Sequence, residues 1–201
     1  ISNQLVEQME NKYFIVLTAN KWPTTANRWP EIINRFADFT AIGDGIAILL
    51  LGPENGSLKI AKWNSLNSGE SSMNKYFNTN SKTLLFDNRM KMIKIGSEFI
   101  LDSLKKNNMS LQDDIEKIIS SNVRFDIYQD LYSAMLGISP KMFFLENMSV
   151  GGHITDIDVI RNLKDYLNKE IINRKKYILL YSADLEPSFD KNYHLITLER
   201  Q

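Results

Sequence analysis

The chain has no cysteine among its 201 residues. That excludes disulfides, thiolate nucleophiles, zinc–cysteine sites and iron–sulfur clusters from it, and it fits a reducing compartment. Charge of one sign is not in excess either. Lys plus Arg and Asp plus Glu number 24 each, so the formal net charge is zero. A whole-protein attraction to nucleic acid or to an anionic membrane surface has no support in that balance. Long apolar runs are missing as well. The cleanest, Ile46 to Leu51, is far short of the ~20 residues that span a bilayer, and no basic-then-apolar leader opens the chain. The sequence therefore predicts a cytoplasmic protein with no membrane span.

Several chemical signatures are also absent. The sequence holds no phosphate-cradling G-x-x-x-x-G-K-[S/T], no G-x-G-x-x-G, no H-E-x-x-H, no G-x-S-x-G and no EF-hand loop. With two histidines, a multi-histidine metal site needs carboxylates to complete it. No cofactor and no resident metal are expected.

What is present is ordinary globular material: 43% apolar and 24% charged residues. A chain of this length buries roughly 70% of its unfolded surface, so the expectation is one globular domain over 1–201. Its start, "ISNQ" without Met, points to a fragment of a larger protein or assembly. Short continuous apolar runs at 13–17, 46–51, 84–86, 142–145 and 177–181 read as strands covered on both faces. Helical spacing marks 29–39, 110–121, 123–137 and 155–176; Gly137 with Pro140 beyond it stops the third. Pro53-Glu54-Asn55-Gly56 between two strand-like runs predicts an antiparallel hairpin over about 45–63. The fold class is therefore α/β (mixed α+β): a central mixed sheet with helices packed on its faces, and a flexible loop over about 64–81.

Candidate sites follow from where strands end. Asp87 and Asp184 close the runs at 84–86 and 177–181, and ligands of open α/β sheets bind outside carboxyl strand ends. Two carboxylates meeting there would hold Mg²⁺ or act as acid and base; both also read as solvated turn residues. His153, in "GGHITD", and His194, in "YHLIT", each precede a Thr. The H-x-x-T spacing of the second breaks the alternation that would place both side chains on one strand face. Gly151 and Gly152 before a helix start offer either an anion-binding turn or a plain one. Trp22, Arg28 and Trp29 form a rigid aromatic and cationic segment suited to a protein partner, or to packing under the helix that follows. Arg89, Lys91 and Lys94 alternate with apolar residues, as the cationic face of an edge strand would. Two functions compete on these grounds. One is a non-catalytic protein-interaction or regulatory domain of a larger assembly. The other is a Mg-dependent phosphate- or nucleotide-handling enzyme, with Asp87, Asp184 and His153 as its weak candidates.

Overall fold

The computed structural model describes residues 14–20, 45–52, 56–67, 82–122, 125–144, 146–147, 157–169, 175–183 and 192–201. In chain order these form β1 (Phe14–Asn20), β2 (Gly45–Leu51), β3 (Leu58–Asn67), α1 (Lys82–Lys106), β4 (Ile115–Ile119), α2 (Phe125–Leu136), β5 (Phe143–Phe144), α3 (Ile157–Leu167), β6 (Tyr177–Ala183) and β7 (Asn192–Arg200). A five-stranded mixed sheet runs in the order β3-β7-β6-β4-β5. β4 is parallel to β5 and β6, while β7 is antiparallel to both β6 and β3. β1 and β2 form a separate antiparallel ribbon.

The expected class is borne out, and the reason is visible in the apolar runs. Along β6, Leu179 and Tyr181 enter a cluster with Ile93, Ile100 and Leu104 of α1 and Tyr132 and Leu136 of α2. The alternate residues Ile178 and Leu180 enter a second cluster with Tyr166, Val159 and Leu163 of α3. A continuous apolar strand is what a sheet sheathed on both faces requires. Burying a Leu or Ile there is worth about 1.5–3 kcal/mol.

One close contact sets the depth of α1. At Gly96 an added Cβ would lie 2.2 Å from the Tyr181 hydroxyl and 2.7 Å from that of Tyr132. The helix ends on Lys105 and Lys106, favourable to its dipole, and closes through Asn108 in the left-handed region (φ 53°). α2 stops at Gly137 (φ 66°), as expected, with the Ile138 amide donating to the Ser133 carbonyl at 3.0 Å.

Several local expectations are corrected. Residues 84–86, read as a strand ending at Asp87, lie inside α1, and so does the cationic stretch from Arg89 to Lys94. A three-residue apolar run does not separate a strand from a buried helix segment; here the line Ile93, Ile100, Leu104 continues it at helical spacing. Residues 110–121, read as a helix, make one capped turn and then β4. Ser110 Oγ donates to Asp113 Oδ2 at 2.7 Å and accepts from the Asp113 amide, so the cap forms. The β-branched Ile115, Ile118 and Ile119 then favour the pleated strand. The hairpin over 45–63 does not form, since β2 pairs with β1 and β3 with β7. β7 offers β3 a longer ladder and buries Leu58 and Ile60 against the α3 side. Of the loop expected at 64–81, residues 64–67 belong to β3 and the rest lie outside the described residues, as does the helix expected at 29–39.

Candidate functional site

The connections define where a site belongs. β4 passes through α2 to β5 on one side, and β5 returns through α3 to β6 on the other side of β4. The carboxyl ends of β4 and β6 therefore flank the point where the winding direction reverses, the crevice in which ligands of such sheets bind. The register Ile119↔Leu180 brings Ser120 and Ser121 level with the Tyr181–Ser182 end of β6.

A closed polar network anchors the β4 side. Asp158, in the first turn of α3 and with no exposed surface, accepts from the Asn122 amide at 2.9 Å and from Asn122 Nδ2 at 3.2 Å. Asn162, equally buried, donates through Nδ2 to the Ser120 carbonyl and to Asn122 Oδ1, both at 2.8 Å. Asn147 Nδ2 donates to Asn162 Oδ1 at 3.0 Å and to Asp165 Oδ2 at 2.6 Å. Buried polar groups are tolerable when paired in this way. The effect is to fasten the Ser120–Asn122 segment to the N-terminal turn of α3.

The β6 side carries the groups with chemical freedom. Ser182, half-buried, faces His194 across the β6–β7 ladder, and His194 faces Ser65 across β7–β3. Directly opposed residues hold their Cβ atoms about 4.5–5.5 Å apart. His194 is exposed and meets Trp63 edge to face, ring centroids 6.5 Å apart at 89°. Thr197 is buried, so the H-x-x-T spacing does place the two side chains on opposite faces. A hydroxyl and an imidazole opposed across a ladder in this way are the components of a nucleophile–base arrangement.

A second buried cluster lies at the opposite end of the sheet. Glu116 of β4 takes a two-pronged contact from Arg200 of β7, Nη2–Oε1 at 2.6 Å and Nε–Oε2 at 3.1 Å. The Tyr166 hydroxyl donates to the same carboxylate at 2.6 Å. Burial pushes the Glu116 carboxyl up, but the hydrogen bonds from Arg200 and Tyr166 and the Arg200 charge outweigh it and hold the group below its ordinary range. Burial, and then the bond to Glu116, raises the Tyr166 phenol. This cluster ties β4, β7 and α3 together, away from the crevice.

Of the acids and histidines singled out in the sequence, the structure describes Asp87 and His194. Asp87 falls within α1 and not at a strand end, which removes the proposed carboxylate pair. Asp184, one residue past β6, lies outside the described residues, as do His153, Trp22, Arg28 and Trp29. Among the described residues no group of three or more His, Asp or Glu is placed to hold a metal, and no helix is long and apolar enough to cross a membrane. Sequence reasoning missed Asp158, Asn162 and Ser182. The signal for the first two was their spacing of four with Tyr166, which puts all three buried residues on one line of α3.

No protein-family model and no curated protein matches this sequence. Solved structures do match the fold. The chain is similar to ChlB3, described as an acyltransferase, at 15% identity and TM-score 0.71, over 98% of this chain and 64% of that one. It is similar to 3-oxoacyl-[acyl-carrier-protein] synthase III from Aquifex aeolicus VF5 (12%, TM-score 0.67, 98% and 60%). OleA of Xanthomonas campestris is a further likeness (11%, TM-score 0.70, 98% and 57%). The chain thus spans about three fifths of the length of these proteins. In fold the chain resembles these enzymes. That finding overturns both functional expectations, the non-catalytic regulatory or interaction module and the Mg-dependent phosphate enzyme; the α/β and cysteine-free descriptions stand.

Proposed function

We propose that this chain is part of an acyl-transferring enzyme whose acyl thioester binds at the carboxyl edge of β4 and β6. The observation that carries the reading is the fold itself, matched over 98% of the chain to an acyltransferase. The serine–histidine pair at the switch point supports it. With no cysteine available, the acyl acceptor on this chain is a hydroxyl. Ser182 Oγ attacks the thioester carbonyl carbon while its proton passes to His194. The departing thiolate takes that proton. A bound hydroxyl, thiol or amine acceptor then attacks the acyl ester; its proton passes through His194 to the departing Ser182 Oγ, and the acceptor carries the acyl group away. The Ser120–Asn122 segment, held by Asp158 and Asn162, forms the facing wall. A cytoplasmic location belongs to the same proposal, supported by the cysteine-free composition.

The test is thiol release from acyl-coenzyme A and acyl-pantetheine of short, medium and long chain, with mass spectrometry for an acyl ester on the protein. The reading expects turnover and an ester mapped to Ser182. His194→Ala should slow thiol release by about 10²–10⁴-fold at unchanged thermal stability. Absence of binding for every acyl chain, or equal turnover in Ser182→Ala, would sink it.

A further inference from the structure

The β1–β2 ribbon has one face that nothing in the described structure covers. Leu17, Ile46, Ile48 and Leu50 are each 63–71% exposed. The register pairs Leu17 with Ile48 and Ala19, also exposed, with Ile46, so these side chains form one contiguous apolar patch. The alternate residues of β2, Ala47, Leu49 and Leu51, are half-buried, and α3 lies against the ribbon. A patch of this kind is unusual on a finished surface.

The sequences of the two strands sharpen the point. "FIVLTAN" and "GIAILLL" contain no charge and no alternation of apolar with polar residues. Strands of that composition belong to sheets sheathed on both faces. A surface ribbon alternates instead, and a two-stranded ribbon alone is marginally stable in water. Among the described residues both outer edges of the ribbon are also unpaired. The ribbon therefore has the composition of interior strands without, among the described residues, the neighbours that composition demands.

The comparisons indicate what those neighbours are. The enzymes of this fold account for 98% of the chain, yet the chain accounts for only 57–64% of them. More than a third of each enzyme has no counterpart here. We propose that the open face and free edge of the β1–β2 ribbon are the seam onto which that remainder of the fold docks: a strand-and-helix polypeptide that adds a strand to the ribbon edge and lays an apolar helix face over Leu17, Ile46, Ile48 and Leu50. The absence of charge on the patch fits an apolar, permanent interface rather than a transient one. The proposal rests on the fold likeness and not on the acyl chemistry above.

The chain's lack of cysteine makes the test clean. Ile48→Cys and Leu50→Cys each introduce one thiol on the patch, and Lys62→Cys, at an exposed position of β3, is the control. Maleimide labelling is followed in the isolated 201-residue chain and in the protein expressed from its own locus in the source cells. The proposal expects patch and control to label alike in the isolated chain. In the cellular protein the patch thiols should label at least about tenfold more slowly than the control. A thiol-directed photocrosslinker should then join the patch to a peptide outside these 201 residues that belongs to a strand or helix. Equal labelling in both settings overturns the proposal. So does protection in the isolated chain with a dimer mass and a disulfide between two copies, which makes the occupant a second copy. Acyl turnover is not read in either arm, so failure here and failure of the acyl-transfer reading are distinguishable.

Discussion

Gly96→Ala pits two well-calibrated effects against each other. On helix propensity alone the substitution stabilises α1, by about 1 kcal/mol for Ala over Gly in a helix interior. Packing points the other way. The new Cβ would sit 2.2 Å from Tyr181 Oη, 2.7 Å from Tyr132 Oη and 3.3 Å from Tyr132 Cε1. Neither ring can swing aside. Both tyrosines are 1% exposed, their rings meet edge to face at 5.6 Å, and Tyr132 also lies against Phe143 at 6.3 Å. Overpacking a core in this way costs about 1–3 kcal/mol. The hydroxyls bond each other at 2.8 Å, and parting them strands two buried polar groups at about 1–3 kcal/mol. The clash exceeds the propensity gain, and the net destabilisation is about 1–5 kcal/mol. Urea unfolding at unchanged m-value reads it directly. A variant as stable as the parent, or more so, would refute the reasoning, because propensity would then have won. Tyr181→Phe removes the atom struck first. In that background Gly96→Ala should cost less, with a coupling energy of about 1–2 kcal/mol in the double-mutant cycle; strict additivity would place the contact elsewhere.

Further outcomes are expected from the rest of the core. Glu116→Gln leaves the buried Arg200 guanidinium without its counter-charge (side-chain exposures 14% and 4%) and should cost about 3–5 kcal/mol in equilibrium unfolding. Because the folded Glu116 carboxyl lies below its ordinary value, its contribution is complete above the unfolded value of about 4.3 and is lost as pH falls through the lower folded value. The parent's urea midpoint should therefore fall on acidification below about pH 4.3 more steeply than that of Glu116→Gln. Asp158→Ala strands the Asn122 amide and side chain and should cost about 1–3 kcal/mol, with KM for an acyl thioester rising if the Ser120–Asn122 wall binds it. Ser97 and Ser133 carry buried hydroxyls without a partner in the described structure, so Ser→Ala at each should raise the unfolding midpoint. A fall would show that the hydroxyls are satisfied. Gly137→Ala meets no atom within 4 Å but is held at φ 66°, so its cost, about 1–2 kcal/mol, is conformational and should shrink in Gly137→Asn.

Where local and tertiary signals agree, the sequence was legible. α2 shows this best: an apolar stripe, a glycine forced to positive φ and a proline beyond all mark the same stop, and the helix ends there. The run at 177–181 reads as a doubly covered strand because both of its faces are buried. Legibility fails where the deciding partner is distant in the chain. Residues 84–86 are apolar enough for either structure, and only the packing of Ile93 and Ile100 under the sheet selects helix. β3 looks like half of a hairpin with β2 because of Asn55-Gly56. Its actual partner, β7, lies more than a hundred residues on, and no turn signal encodes that pairing.

The candidate site was hidden for a related reason. Asp87 and Asp184 stood out because each follows an apolar run, and the inference needed both runs to be strands of one sheet. Ser182 carries no local signal of reactivity because serine is common. His194 carries none either, because its H-x-x-T spacing puts His194 and Thr197 on opposite strand faces. What makes the pair chemically meaningful is the antiparallel register of β6 and β7, which opposes Ser182 and His194 at the switch point of the winding. Neither strand's own sequence specifies that register; burial of Tyr181 and Tyr193 on one face does. Slipping β7 by one residue would turn Tyr193 and Leu195 out to solvent and carry His194 to the covered face. The core residues that hold the register therefore hold the proposed catalytic pair as well. Substitutions at Tyr193 or Leu195 that leave the chain folded should reduce acyl transfer without touching substrate.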